Sequence, residues 1–137
     1  MAEETYAPLY LRGIEQFNQR DFFGSHETWE QLWIGEEGAA RLFYKGLIQA
    51  AVALYHLDNG NDAGAEKLLA GCGGYLSPYR PKYLGLDLDR LLGDMSRCVA
   101  GVLASGAGRV RGPIDPALAP RIRLDPAPHS AADVRYP

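Results

Sequence analysis

Apolar residues recur along most of this chain at intervals of three and four, and no run of strict alternation competes before the C-terminal tail. A first helix is predicted from Pro8, a residue suited to an opening turn, with Tyr10, Ile14 and Phe17 on one stripe. Asp21 is the predicted N-cap of a second helix that runs to Ile34 and stops in the Gly35–Gly38 stretch. A third runs from Ala39 to Leu57 and is apolar or small almost all round, which marks it as the central, buried helix. Asn59-Gly60-Asn61 reads as a stop and restart, with Asn61 or Asp62 capping a fourth helix that Gly71, Gly73 and Gly74 should end. Tyr75 to Gly85 reads as a connecting loop. A fifth helix opens at Asp87, with Leu88, Leu91, Leu92, Met95, Val99, Val102 and Leu103 at core spacing.

The informative exception to this pattern lies in the second helix. On a helical wheel Leu32, Ser25, Trp29, Phe22, Trp33, Phe23 and Ile34 form one arc, His26 and Glu30 fall inside it, and Glu27 lies at its edge. An ionisable group in a core-facing arc needs a partner, because an unpaired buried charge is too costly to keep. The third helix offers one: Lys45, Gln49, Val52 and His56 share a stripe, flanked by Gly46 and Ala53. Two adjacent helices joined by a short loop should pack antiparallel. Counting outward from the loop then sets Glu30 opposite Lys45 and His26 opposite Gln49. His56 falls about 10 Å along the axis from His26 at the usual helical rise.

Several chemistries fit this set. His26 and Glu30, completed by His56 or Glu27, would suit zinc, manganese or iron and leave room for an activated water, which makes a metal-dependent hydrolase one reading. The run is HETWE, however, and lacks the second histidine of the HExxH zinc-protease signature. A metal-free enzyme would need Glu27 or Glu30 as a base, with Lys45 as its electrostatic partner, and no nucleophile elbow, phosphate loop or dinucleotide fingerprint accompanies it. The remaining reading is a satisfied polar network that pins helix register or lines a small binding cleft, with Trp33 as its wall.

Composition narrows the classes further. The 137 residues suit one domain, and 47% hydrophobic with 23% charged residues is ordinary for a globular protein. A net charge of −3 argues against nucleic acid as the main partner. No apolar run approaches the roughly 20 residues that span a bilayer, and no signal peptide opens the chain. Cys72 and Cys98 have no metal-type spacing and read as reduced thiols of a cytoplasmic protein, although spacing alone leaves a disulfide open.

From Ser105 the composition changes, and Pro113, Pro116, Pro120, Pro126, Pro128 and Pro137 forbid a long helix. Arg109, Arg111, Arg121, Arg123 and Arg135 face three aspartates, so the tail is locally basic. It is either an arm laid on the helices through Ile114, Ile122 and Leu124 or a basic arm that grips an anionic partner. Tyr75, Tyr79, Arg80, Lys82 and Tyr83 make a mixed aromatic and basic loop, and no role is assigned to His129. A weak internal repeat relates the turn at Arg20-Asp21 to that at Gly60-Asn61, each with a small residue five positions on, in the manner of tetratricopeptide-like hairpins.

The stretches FNQRDFFGSHETWEQLW and FYKGLIQAAVALYHLDNGNDAGAEKLL resemble a family of small bacterial and archaeal helical proteins known as domain of unknown function 309. Four motifs carry the resemblance in order: Phe17-Asn18, His26-Glu27-Glu30-Trp33, Gly46-Leu47-Ile48-Gln49 with His56, and Gly60-Asn61 with Gly64-Ala65. Arg20 stands where that family usually has glycine. The resemblance implies an all-α fold and a polar cluster of His26, Glu27, Glu30, Gln49 and His56. It implies no activity.

The expected protein is therefore all-α: a compact bundle of about five helices over 1–104, with an extended Pro-rich arm over 105–137. The expected function is a binding or interaction module for a protein or small polar ligand, its pocket between helices two and three formed by His26, Glu27, Glu30, Trp33, Lys45, Gln49 and His56. The apolar stripe of helix five (Leu88, Leu92, Met95, Val99) would serve a homodimer or the underside of the tail.

Overall fold

A computed structural model describes residues 6–106 and 113–128. Arg109, Arg111, His129, Arg135 and Pro137 lie outside the described residues. Among the described residues five helices follow one another: α1 (Pro8–Asn18), α2 (Phe22–Gly35), α3 (Arg41–Asp58), α4 (Asp62–Leu76) and α5 (Leu88–Gly106). A short 3-10 turn (Ser77–Tyr79) and a two-stranded antiparallel hairpin, β1 (Lys82–Tyr83) and β2 (Leu86–Asp87), separate α4 from α5. The molecule is a compact helical bundle.

Sequential hairpins build it. α2 packs on α1, α3 on α2, α4 on α3, and α5 closes against α4 and α3. The α1–α2 contact depends on a glycine: Gly13 is buried where the Trp29 indole crosses α1, and a methyl group there would collide with the ring. Trp29 Nε1 donates to the Tyr10 carbonyl (3.2 Å), and Ser25 Oγ donates to the Gly13 carbonyl (2.9 Å), so both polar groups of this buried face are satisfied. α3 carries the centre of the core, with Phe43, Leu47, Ala50, Ala51, Ala53, Leu54 and Leu57 fully enclosed.

The two inter-helix turns superimpose residue for residue in their chemistry. Asp21 accepts from the Gly24 amide and Asn61 from the Gly64 amide, both at 3.0 Å. The amides of Asp21 and Asn61 bond back to the Gln16 and His56 carbonyls, each at 2.9 Å. Arg20 (φ 65°) and Gly60 (φ 78°) take the left-handed conformation just before the cap. Ser25 and Ala65, the small residues that follow, are both wholly buried. The internal repeat is thus a repeated turn.

Two elements depart from the sequence reading. The glycines at 71, 73 and 74 do not end α4, which continues to Leu76 because Cys72 and Leu76 supply a buried face that outweighs the poor helix propensity of glycine. The segment after it is not a plain loop: Leu84 (φ 45°) and Gly85 (φ 77°) form a two-residue hairpin turn. Leucine in the left-handed region gives no turn signal, so the hairpin was invisible to pattern reading.

The described part of the tail, 113–128, lies along the bundle as a strap. Ile114, Ile122 and Leu124 are buried in the common core. The Ile114 amide donates to Asp58 (2.8 Å), Asn18 and Ile122 exchange two hydrogen bonds (2.8 and 2.7 Å), and Tyr6 Oη donates to the Pro126 carbonyl (2.6 Å).

Candidate functional site

α2 divides into faces more narrowly than the wheel implied. Phe22, Ser25 and Trp29 form the buried face toward α1, whereas Phe23 is 46% and Ile34 67% exposed. Glu27 and Glu30 are exposed, and neither makes a hydrogen bond or ion pair with another described residue. The expectation that the acids point inward is corrected accordingly. An apolar residue on a wheel is not proof of burial, and the arc was drawn too wide by counting Phe23 and Ile34 as core.

The register between α2 and α3 also differs from the count outward from the loop. Trp33, not Glu30, lies against Lys45, with the ammonium 4.6 Å from the ring centroid, and the Arg41 guanidinium carbon is 4.2 Å from the same ring. Arg41 further donates to the Trp33 and Glu36 carbonyls, each at 2.8 Å, which fixes the end of α2. At the other end of the seam Phe23 packs on Tyr55, with centroids 5.3 Å apart. Trp33 standing where Glu30 was expected is a slip of three residues, just under one turn, and it turns the acid away from the cation.

The stripe on α3 is half-buried and reaches both neighbours. Lys45 leans on α2 through Trp33, while Gln49 leans on α4, where the absence of a side chain at Gly71 leaves room for its amide. His56 Nδ1 is 3.3 Å from the Asn61 side-chain nitrogen Nδ2, so it serves as an acceptor at the α3–α4 turn. His26 Nδ1 is 2.9 Å from the Phe23 carbonyl, so that nitrogen carries a proton and Nε2 is left as the acceptor in the neutral ring. Two polar atoms of these side chains are buried without a partner among the described residues: Trp33 Nε1, a donor on the α2 side, and Gln49 Oε1, an acceptor turned toward Gly71 of α4.

Among the described residues no group of three His, Cys, Asp or Glu side chains is placed to hold a metal ion, so His26, Glu30 and His56 do not form a ligand set here. The reason is the register: Glu30 faces outward, and His56 is engaged at the other hairpin turn. The general-base reading of Glu27 or Glu30 likewise lacks the burial it required.

The remaining sequence candidates have structural employment. Tyr79 and Tyr83 pack on Phe43 at 5.5 and 4.9 Å, Tyr79 Oη donates to the Ala39 carbonyl, and Arg80 pairs with Asp89. Cys72 and Cys98 are free and buried. Burial pushes the Cys72 thiol up to about 12, and burial with the nearby Asp58 charge pushes Cys98 up to about 11, so both are unreactive at neutral pH. Among the described residues no helix is long and apolar enough to cross a membrane.

Pattern reading missed a cleft of about 740 Å³ between the strap, the hairpin and the start of α5. Arg121 and Arg123 of the basic tail and Lys82 of the aromatic and basic loop, each singled out in the sequence, line it without having been joined into one site.

Comparison with known proteins places the resemblance on the first four helices. The chain is 37% identical over 91 residues to the uncharacterized protein YpuF of Bacillus subtilis, an alignment that covers 64% of this chain. The chain spans about half the length of that relative, 52%. Residues 10–68, from the first turns of α1 to the middle of α4, match the family described as domain of unknown function (DUF309), and the seam residues from His26 to His56 lie within that stretch.

Proposed function

We propose that this protein is a binding module whose ligand seat is the α2–α3 seam, with Trp33 and Lys45 as its central contacts and Gln49 on its α4 side. His26 and His56 stand at the end of the seam toward the start of α2, and Glu27 and Glu30 form an outer acidic flank. One observation carries the reading: the residues around Lys45 keep an unpaired donor on Trp33, against α2, and an unpaired acceptor on Gln49, against α4, and the lysine itself caps an indole instead of an acid. A buried polar atom without a partner costs about 1–3 kcal/mol, and a network kept only for packing would have satisfied it. A small polar ligand carrying both a donor and an acceptor, with negative character toward Lys45 and Arg41, would complete the set.

The test uses that cost. Gln49→Met keeps the volume and removes the unpaired acceptor, so its melting temperature is expected to rise by about 2–5 °C if the amide is held for a ligand. A fall of similar size would assign Gln49 to structure and end the binding reading. A thermal-shift panel of small metabolites bearing carboxylate and amide groups should then find compounds that stabilise the wild type and leave Gln49→Met unmoved.

A further inference from the structure

A second site is built where the strap crosses the hairpin. The cleft of about 740 Å³ lies within the range of small-molecule sites and has two unlike parts. Its floor is apolar: Leu86, Leu91, Ile122 and Leu124 line it and are buried. Its rim is charged, with Lys82, Arg90, Arg121 and Arg123 against Asp87 and Asp125.

The four cations on the rim outnumber its two acids. The Asp87 carboxylate accepts from the Arg90 amide at 3.0 Å and so caps α5, and Asp125 pairs with Lys82 at 3.2 Å. Arg121 donates to the Asn18 carbonyl, which leaves its positive charge unneutralised. Arg123 has no hydrogen bond or ion pair with another described residue, and Arg90 reaches Asp94 only at 3.7 Å. The rim therefore carries an excess of positive charge in a chain whose net charge is −3. Overall repulsion disfavours an extended polyanion, whereas a small anion in the cleft experiences mainly the local field.

We propose that this cleft binds a small organic anion, its apolar body on the floor and its phosphate or carboxylate head against Arg90, Arg121 and Arg123. The site is independent of the α2–α3 seam and stands or falls separately.

Anilinonaphthalene sulfonate, an apolar anion, is the probe, titrated into the full chain by fluorescence at low salt. Binding that weakens about tenfold or more in Arg90→Glu/Arg123→Glu, but holds in Arg12→Glu/Lys67→Glu, an equal change of charge at two exposed positions outside the cleft, is the expected result. Equal loss in Arg12→Glu/Lys67→Glu would reduce the effect to net charge and overturn the proposal, as would unchanged binding in the cleft variant or none in the wild type. If the double reversal fails to fold by thermal melting, Arg123→Gln, which touches none of the strap's hydrogen bonds, reads the same loss at about threefold. Phenyl phosphate and benzoate then compete against inorganic phosphate. Displacement by either aromatic anion at concentrations where inorganic phosphate is inert supports the two-part cleft and identifies the preferred head group. Equal displacement by all three would remove the floor from the site and overturn it.

Discussion

Arg20 shows how a single residue can depart from a pattern without changing the structure around it. It occupies the left-handed backbone position (φ 65°) that Gly60 occupies in the second turn, and its hydrogen-bond pattern is the same. A side chain in that conformation costs roughly 1–2 kcal/mol, part of which glycine forfeits through its freer unfolded chain. Arg20→Gly should therefore stabilise the protein by about 0.5–1 kcal/mol, seen as a higher denaturation midpoint at unchanged slope. A lower midpoint would mean that the guanidinium earns more at the surface than the backbone loses. The sequence flagged Arg20 as the exception to the turn of the family it resembles, and the caps at Asp21 and Asn61 were equally plain. It could not indicate that Glu30 faces outward. Exposure on α2 is decided by where α1 and α3 lie, and a wheel drawn from one helix holds no information about its neighbours.

At the scale of elements, all five helices were legible because their stripes, caps and prolines agree with one another. The end of α4 was not, since its glycine run speaks locally for a stop while Cys72 and Leu76 speak for continuation, and only the presence of α3 decides between them. The glycines of the bundle accordingly divide by what they face. Gly46 lies under Leu76 and Gly13 under the Trp29 ring, so Gly46→Ala and Gly13→Ala should each cost about 1–3 kcal/mol through overpacking. Gly73 and Gly74 have open space around them, and alanine there should add about 0.5–1 kcal/mol of helix propensity. Thermal melting of the four variants tests the assignment directly. Destabilisation at 73 and 74 would contradict their open surroundings, stabilisation at 13 the close approach of α1 to α2, and stabilisation at 46 that of α3 to α4. The same approach sets Gln49 beside Gly71 and away from His26. The α3 stripe was therefore found from sequence, but the partners of its members were not.

Across the whole molecule the strap decides how the ends of the bundle are held. Asp58, at the last position of α3, accepts from the Ile114 amide and so anchors the strap where it begins. Burial raises the folded-state pKa of Asp58 above its ordinary value, against the opposing effects of the Ile114 hydrogen bond and the Arg20 charge. The sign follows from the raised pKa. The protonated carboxyl is favoured in the folded chain, so its contribution to stability is full below the unfolded pKa and is lost as pH rises through the folded one. At neutral pH the ionised group thus holds the strap while paying for its own desolvation. Asp58→Asn keeps an acceptor for the Ile114 amide and removes the charge, so it should match or exceed wild-type stability at pH 7 and lose that advantage near pH 3. Asp58→Ala removes the acceptor as well and should cost about 1 kcal/mol or more at both pH values, with faster hydrogen exchange at Ile114. Comparable losses for Asn and Ala at pH 7 would show that the negative charge itself is needed, and that the strap is held electrostatically and not by this hydrogen bond. Because the strap also forms one wall of the basic cleft, Asp58→Ala should weaken anion binding there without touching any arginine, while Asp58→Asn leaves it intact.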